Sequence, residues 1–478
     1  MSKSLSLNVL AMLLAKFLPA AFAFAINIAV ARVAGVETLG AYANLLALQI
    51  MFQALTSAGL HLFVAREVAA SPRQASAHAQ QAMMTAVLTG VVGTFAFVLY
   101  ALLALPDIQV LPALVLASTV LPSAWIAVQE GIFIGTRKHH LVAVVAMLEN
   151  AVKLTAAGAA LAGGYGLLGV SVAIASSRLI AVLLGAHLVR RLGITTTARV
   201  RPAAVMTFVR ELAPFAALSV IAMIYFRIGV PIVQVIAGEM GTGLLAAAVT
   251  LYGALLLLPD SVLSAAYPRL CAAFTRSRDG YTTATWLVAK GLTGSLVAIA
   301  MVLMAASDFL VTAIYGAAFA DAGLFLRLFA VALPIHAFNG VLGQALQTSG
   351  QQRAMVSVVA AGLAVHIVLT ILLVRVLGVG GAAVAMIGSS TVVALGALHA
   401  FHQRVAPVHL STSAASALLA VAGPLLYASV APSGMRLVAT AAGLLALAVV
   451  VLWHGRFLRR DVERVRVAFS EASSRAIA

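Results

Sequence analysis

Cysteine and charged residues are scarce in this chain. Its 478 residues include one cysteine, Cys271, so an internal disulfide is excluded and a free thiol is expected. Charged residues make up 9% of the chain, whereas ordinary soluble domains carry roughly 25%, so a soluble globular fold is excluded. Acidic residues number 14 against 30 basic ones, for a net charge of +16. Because no basic patch is interleaved with aromatic residues, we expect no nucleic-acid partner.

Long apolar runs take the place of polar sequence, and 63% of the residues are hydrophobic. About 14 stretches approach the roughly 20 residues that a helix needs to cross a bilayer. The pattern predicts an all-α polytopic membrane protein. The predicted spans lie near residues 9–31, 40–63, 82–104, 110–130, 141–163, 166–188, 213–236, 243–266, 287–306, 324–345, 355–377, 380–401, 413–431 and 435–455.

Basic residues are concentrated in every second connection. Of the 30 lysines and arginines, 21 lie in the termini or after even-numbered spans, while Arg32, Arg375 and Arg436 lie in the opposite connections or at the span ends beside them. Basic residues in short loops mark the cytoplasmic side of a membrane. We therefore predict a multi-pass inner (plasma) membrane protein with both termini in the cytoplasm.

The two halves of the chain repeat one another. Three matches have similar offsets: 166–177 with 378–389 at 212, Arg66 with Arg269 at 203, and Lys16 with Arg227 at 211. Spans 1–6 therefore correspond to spans 7–12. Because six is even, both halves keep the same orientation, which predicts two parallel six-helix repeats with the substrate site between them.

These observations predict five parts of the chain. They are an N-terminal six-helix lobe at 1–189, a basic cytoplasmic linker at 190–212, a C-terminal six-helix lobe at 213–404, two additional transmembrane helices at 405–455 and a basic cytoplasmic tail at 456–478.

Charged residues inside the spans are the candidate site, because each costs several kcal/mol in lipid unless it faces a partner or water. Lys16, Lys153, Arg178 and Arg227 lie in spans 1, 5, 6 and 7. Facing one cavity, they would form a cationic substrate-binding site suited to phosphate groups. Asp260 and Glu149 are the candidates for proton or ion coupling.

Each of these residues also has a structural interpretation. Glu149 and Lys153 are four residues apart on one helical face and would neutralise each other. The other structural roles are a tie between helices for Arg178, snorkelling to the surface for Lys16, and pairing with Arg227 for Asp260.

No motif supports catalysis, a metal or a cofactor, so we expect none of the three. Residues 164–169 match the dinucleotide pattern G-x-G-x-x-G, but they form a predicted tight turn between two spans and not a strand-to-helix turn. His139 and His140 are adjacent, which is poor metal-ligand spacing. His336 and His366 lie inside spans, where helix packing is favoured and proton coupling is the alternative.

Three segments resemble a known family. They are Ala-Arg-Val-Ala-Gly-Val-Glu-Thr-Leu-Gly-Ala-Tyr at 31–42, Tyr-Gly-Ala-Ala-Phe at 315–319, and Gln-Ala-Leu-Gln-Thr-Ser-Gly-Gln-Gln-Arg at 344–353, which is followed by Gly-Val-Gly-Gly-Ala-Ala-Val-Ala at 378–385. On these segments the chain resembles the polysaccharide or lipid-linked oligosaccharide flippases, of the O-antigen or exopolysaccharide translocase type. These belong to the multidrug/oligosaccharidyl-lipid/polysaccharide exporter superfamily.

The resemblance covers nearly the whole chain. It implies two six-helix bundles that form a V around a central cavity and work by alternating access. It also implies movement of an undecaprenyl-pyrophosphate-linked oligosaccharide from the cytoplasmic to the outer leaflet. The implied partners are this lipid-linked glycan, membrane lipids, and polysaccharide polymerase or assembly proteins.

Other functions stay open at this point. A cation-coupled drug or metabolite antiporter of the same superfamily usually has twelve spans and an acidic residue in the first helix, where this chain has Lys16. A cell-wall lipid precursor flippase is a close variant. A membrane enzyme that polymerises or ligates glycans would need a long outer loop, and every predicted outer loop here is short.

Overall fold

A computed structural model describes residues 3–57, 59–194, 216–407, 440, 441 and 443, with side chains from residue 18 onward except Pro72. Over these residues the chain is helical and contains no strand. The α-helices are α1 Lys3–Ser57, α2 Leu60–Ala70, α3 Ala75–Ala104, α4 Asp107–Ala117, α5 Val120–Gly135, α6 His139–Ala162, α7 Gly166–Arg191, α8 216–227, α9 Gly229–Arg276, α10 Arg278–Tyr315, α11 Ala322–Thr348, α12 Gln352–Leu377 and α13 Gly380–Arg404.

The prediction of an all-α membrane protein is confirmed. The described residues contain ten helical stretches that are long and apolar enough to cross a membrane. Two of them, Leu18–Ala70 and Ala216–Arg276, have 53 and 61 residues. At 1.5 Å per residue they would extend about 80 and 90 Å, against roughly 30 Å of hydrocarbon. Each therefore accounts for two predicted spans.

A glycine interrupts each of these two long stretches. Gly35 in α1 has φ 85° and ψ −176°, and Gly238 in α9 has φ 72° and ψ −170°. This backbone conformation is essentially restricted to glycine. The two kinks are 203 residues apart, the same offset as Arg66 and Arg269. The predicted internal repeat therefore extends to the backbone.

The turn between α5 and α6 is repeated between α11 and α12, at an offset of 213. The amide of Lys138 donates to the Phe133 carbonyl at 2.7 Å, and the amide of Gln351 donates to the Leu346 carbonyl at 2.7 Å. The same turn has a positive φ in both copies, 59° at Arg137 and 76° at Gly350. These turns set the register in which α6 corresponds to α12.

The predicted match between Lys16 and Arg227 in the internal repeat is wrong. Lys16 precedes the kink at Gly35 by 19 residues, whereas Arg227 precedes the kink at Gly238 by 11. A difference of eight residues is about 12 Å along a helix. In the register of the kinks, Phe24 is the counterpart of Arg227.

The chain divides into two compact units, Met1–Ala246 and Ala247–Ala478. Most of the predicted linker at 190–212, the two predicted helices at 405–455 and the tail at 456–478 lie outside the described residues. The predicted domain limits and the total of about 14 spans therefore stay predictions. The core of the first unit packs α2, α3, α5 and α7 around buried residues such as Phe63, Ile132 and Phe133. Large apolar side chains elsewhere are exposed, as lipid contact requires; Phe95 and Leu103 are examples.

Candidate functional site

Three charged side chains meet between α6 and α7 of the first unit. Nη1 of Arg178 lies 3.2 Å from Oε1 of Glu149, and Nζ of Lys153 lies 3.7 Å from the same oxygen. The side chain of Glu149 is 8% exposed, while those of Lys153 and Arg178 are 19% and 21% exposed. We call these residues the ionic triad. Its carboxylate is buried and its two cations are partly accessible.

The local sequence explains how the triad forms. Glu149 precedes Lys153 by four residues on α6, the favourable order for a helical ion pair. Arg178 comes from α7, which packs closely on α6. At one close point, a Cβ on Gly169 would lie 2.8 Å from the side chain of Ala160. The glycine therefore brings the Arg178 helix within reach of Glu149.

Two polar side chains complete the surroundings of the triad. Oδ1 of Asn150 accepts a hydrogen bond from Nζ of Lys153 at 3.2 Å, and its Nδ2 donates to the Ala146 carbonyl at 2.7 Å. Glu130 of α5 interacts electrostatically with Arg178 and Glu149. The Nε atom of Arg178 is buried without a hydrogen-bond partner among the described residues. Because arginine carries five donors and lysine three, both cations retain donors for a ligand.

The second unit has no charge at the corresponding positions. On α12, Gly362 and His366 correspond to Glu149 and Lys153 at the offset of 213. On α13, Ser390 corresponds to Arg178 at the offset of 212. His366 is 3% exposed, and its Nδ1 lies 3.1 Å from Oγ of Ser389. The packing interpretation of His366 fits this buried hydrogen bond.

The remaining predicted cations are not members of the triad. Arg227, in α8, is half-buried and close enough to the buried Tyr42 of α1 for an electrostatic interaction. The side chain of Lys16 lies outside the described part of the chain. The structure therefore groups Lys153 and Arg178 around Glu149, and it places Arg227 in a different environment.

Asp260 belongs to the second unit, where it is exposed on α9. It interacts electrostatically with His336 of α11, which is half-buried. The sequence offered both residues as coupling candidates without indicating that they are neighbours. No group of three or more His, Cys, Asp or Glu side chains is placed to hold a metal ion in the described ranges.

A buried chain of polar side chains in the first unit was not predicted from the sequence. Nδ2 of Asn44 donates to Oε1 of Gln109 at 3.1 Å, and Nε2 of Gln109 donates to Oε1 of Glu239 at 2.6 Å. Asn44 and Gln109 are 1% and 0% exposed. Isolated amides in otherwise apolar helices were the signal that could have revealed it.

A family model described as "Polysaccharide biosynthesis protein" matches residues 5–274, more than half of the chain. A search of the curated proteins finds no match.

Several solved structures have the same fold. One is the inward-facing conformation of a multidrug resistance MATE family transporter of the MOP superfamily, with 17% identity, a TM-score of 0.69, and 83% of this chain and 98% of that chain covered. Another is the lipid II flippase MurJ in an inward closed conformation, with 12% identity, a TM-score of 0.70, and coverage of 94% and 100%. A MOP superfamily transporter from Pyrococcus furiosus has 16% identity, a TM-score of 0.60, and coverage of 83% and 94%.

Proposed function

The chain belongs to the polysaccharide biosynthesis protein family, and on that premise we propose that it flips a lipid-linked oligosaccharide across the membrane. The proposed substrate is an undecaprenyl-pyrophosphate-linked repeat unit that moves from the cytoplasmic to the outer leaflet by alternating access. The proposed location is the inner membrane, with both termini in the cytoplasm. Polysaccharide polymerase or assembly proteins are the proposed partners, and no catalytic role is proposed.

The observation that carries this proposal is the pair of accessible cations in the ionic triad. Lys153 and Arg178 are each about one-fifth exposed on helices apolar enough to cross a membrane. Arginine binds phosphate oxygens through two parallel hydrogen bonds, and lysine binds them as a point charge. A diphosphate group between lipid and sugar is an anion that both residues can bind. We propose Lys16 and Arg227 as further contacts along the same path.

Coupling to an ion gradient is a further part of the proposal. Asp260 with His336 in the second unit, and Glu149 in the first, are the proposed coupling groups. Such membrane-embedded titratable groups are typical of proton relays in transporters.

Two alternatives within the same fold have specific support. The likeness to the lipid II flippase MurJ favours a cell-wall lipid precursor as the second candidate substrate, and the triad would bind it through the same diphosphate. The likeness to a MATE transporter is the support for a cation-coupled drug or metabolite antiporter. For a cationic drug, however, the accessible cations of the triad would be repulsive.

The test is flipping in proteoliposomes that contain labelled undecaprenyl-pyrophosphate-linked oligosaccharide, whose leaflet is read from its accessibility to a sugar-oxidising enzyme. Wild type is expected to equilibrate the label between leaflets, and Lys153→Ala/Arg178→Ala is expected to leave it where it started. Arg353→Ala, an exposed cation at the start of α12, is the matched control. Wild-type vesicles that do not move the glycan would contradict the proposed function.

A further inference from the structure

Glu149 contacts both of the cations that are proposed to bind the phosphate groups. Its carboxylate contacts both cations, with Oε1 at 3.2 Å from Arg178 and at 3.7 Å from Lys153. With 8% of its side chain exposed, it has little water to replace those contacts. An anionic ligand would therefore share the same two positive charges with Glu149.

The charge balance of the triad disfavours binding while Glu149 is ionised. Arg178, Lys153 and ionised Glu149 sum to +1. A diphosphate diester carries two negative charges, so its arrival would leave a net charge of −1 in a poorly hydrated site, where uncompensated charge is costly. Glu130 of α5 is close enough to interact with Arg178 and Glu149, and in its ionised form it would increase this imbalance. If Glu149 binds a proton, the two cations and the dianion balance to zero.

We propose that Glu149 takes up one proton from solvent when the diphosphate binds, and releases it when the diphosphate leaves. This inference rests on the proposed function and specifies the coupling proposed for Glu149: the ion is a proton, one is bound per ligand, and its binding accompanies that of the diphosphate. The carboxylate of Glu149 gains the proton on one oxygen and gives up its ion pairs, while Arg178 and Lys153 donate hydrogen bonds to phosphate oxygens. No covalent bond to the ligand forms or breaks.

Among the described side chains, three charged groups interact with Glu149: Lys153 on its own helix, Arg178 on α7 and Glu130 on α5. The other basic residues of α7, Arg190 and Arg191, lie in its last turn. The charged side chains described on α1, Arg32 and Glu37, are exposed. The proton balance at Glu149 is therefore set mainly by the two cations and Glu130.

The second unit indicates that packing alone does not require this carboxylate. α12 and α13 repeat the preceding turn and the close helix approach of α6 and α7, yet Gly362 stands at the position of Glu149. A Cβ on Gly381 would meet the carbonyl of Leu373, the counterpart of the contact between Gly169 and Ala160. The carboxylate is thus an addition to a helix pair that forms without it, which favours a functional role.

The test is calorimetric titration of the full-length protein in nanodiscs with citronellyl diphosphate N-acetylglucosamine. This diester keeps its two charges between about pH 5 and 8, so any proton taken up belongs to the protein. Titrations at one pH in two buffers with different ionisation enthalpies give the number of protons bound. Wild type is expected to take up one proton per ligand and to lose affinity about tenfold per unit rise in pH.

Four variants separate the outcomes. Glu149→Gln is expected to bind with no proton uptake and no pH dependence, while Glu149→Asp retains uptake and so controls for folding. Asp308→Asn removes a carboxylate that pairs with Arg327 at 2.6 Å in the second unit, and it should behave as wild type. Lys153→Ala/Arg178→Ala should weaken binding at least about tenfold, the loss of one charged hydrogen bond.

The two proposals fail in different ways. If wild type does not bind the diphosphate, the proposed function is wrong. If wild type binds it without taking up a proton, or if Glu149→Gln still takes one up, the flippase proposal stands and the role of Glu149 is overturned.

Discussion

The helix pairs α6–α7 and α12–α13 share a backbone and differ in chemistry. Both begin after the same turn, with equal hydrogen bonds of 2.7 Å from Lys138 to Phe133 and from Gln351 to Leu346. The first pair then carries the ionic triad with its buried carboxylate, and the second a buried histidine bonded to a serine. A repeat can therefore preserve what the backbone needs while its side chains acquire separate functions.

The largest expected effect comes from breaking the triad. Arg178→Ala should abolish flipping and lower the free energy of unfolding by about 3 kcal/mol, because it leaves Glu149 buried with one weaker partner. Thermal unfolding in detergent and the proteoliposome assay measure the two effects. The counterpart change in the second unit, Ser390→Ala, should alter neither by much.

The double variant Arg178→Ala/Glu149→Gln separates stability from transport. It removes the uncompensated charge, so it should recover most of the lost stability while flipping stays at background. Recovery of flipping in this variant would show that Arg178 is a structural partner and not a substrate ligand.

The sequence predicted the helices well and the contacts poorly. Apolar runs revealed the spans because each helix must cross a slab of fixed thickness, and the repeat was visible where glycine is required by the backbone. The repeat was misread at Lys16, because two charges in similar apolar runs resemble each other whatever their depth. The pairing of Arg178 with Glu149 was missed because helix–helix contacts depend on rotation and depth, which one sequence does not define.

A second comparison concerns the glycines that follow the two kinks. A Cβ on Gly40 would overlap the backbone oxygen of Glu239, and one on Gly243 would overlap the backbone oxygen of Val36. These contacts are reciprocal, since Gly40 corresponds to Gly243 and Val36 to Glu239 at the offset of 203. Within the first unit, the two kinked segments therefore approach each other closely, and the contact is nearly twofold symmetric.

Alanine at either of these glycines should destabilise the protein by about 1–3 kcal/mol, because a backbone oxygen cannot move aside as a side chain can. Gly253→Ala is the control, since a Cβ at that helical position meets nothing within 4 Å, and it should stabilise the helix by roughly 0.5–1 kcal/mol. Melting temperatures measure all three. A clear inequality between Gly40→Ala and Gly243→Ala would mean that the two halves of the contact are not equivalent.

A substitution in the buried chain of polar side chains can make the two kinked segments more alike. Glu239 has Val36 as its counterpart, so Glu239→Val gives both kinked segments the same residue. Gln109 would then lose its acceptor at 2.6 Å while fully buried, which should cost about 1–3 kcal/mol. Glu239→Gln retains an acceptor and should cost less. Equal melting temperatures for the two variants would show that the acceptor contributes nothing.

The smallest expected effect lies in the repeated turn. Arg137 adopts φ 59° where its counterpart Gly350 adopts 76°, and this left-handed conformation costs a non-glycine residue roughly 1–2 kcal/mol. A glycine also gives the unfolded chain more conformational freedom, which offsets about 0.5–1 kcal/mol of that difference. Arg137→Gly should therefore stabilise the protein by less than about 1 kcal/mol, and Gly350→Ala should destabilise it by a similar amount. Opposite shifts in melting temperature would confirm that both turns require the left-handed backbone conformation. Destabilisation by Arg137→Gly would instead mean that the arginine side chain makes a contact that outweighs its backbone strain.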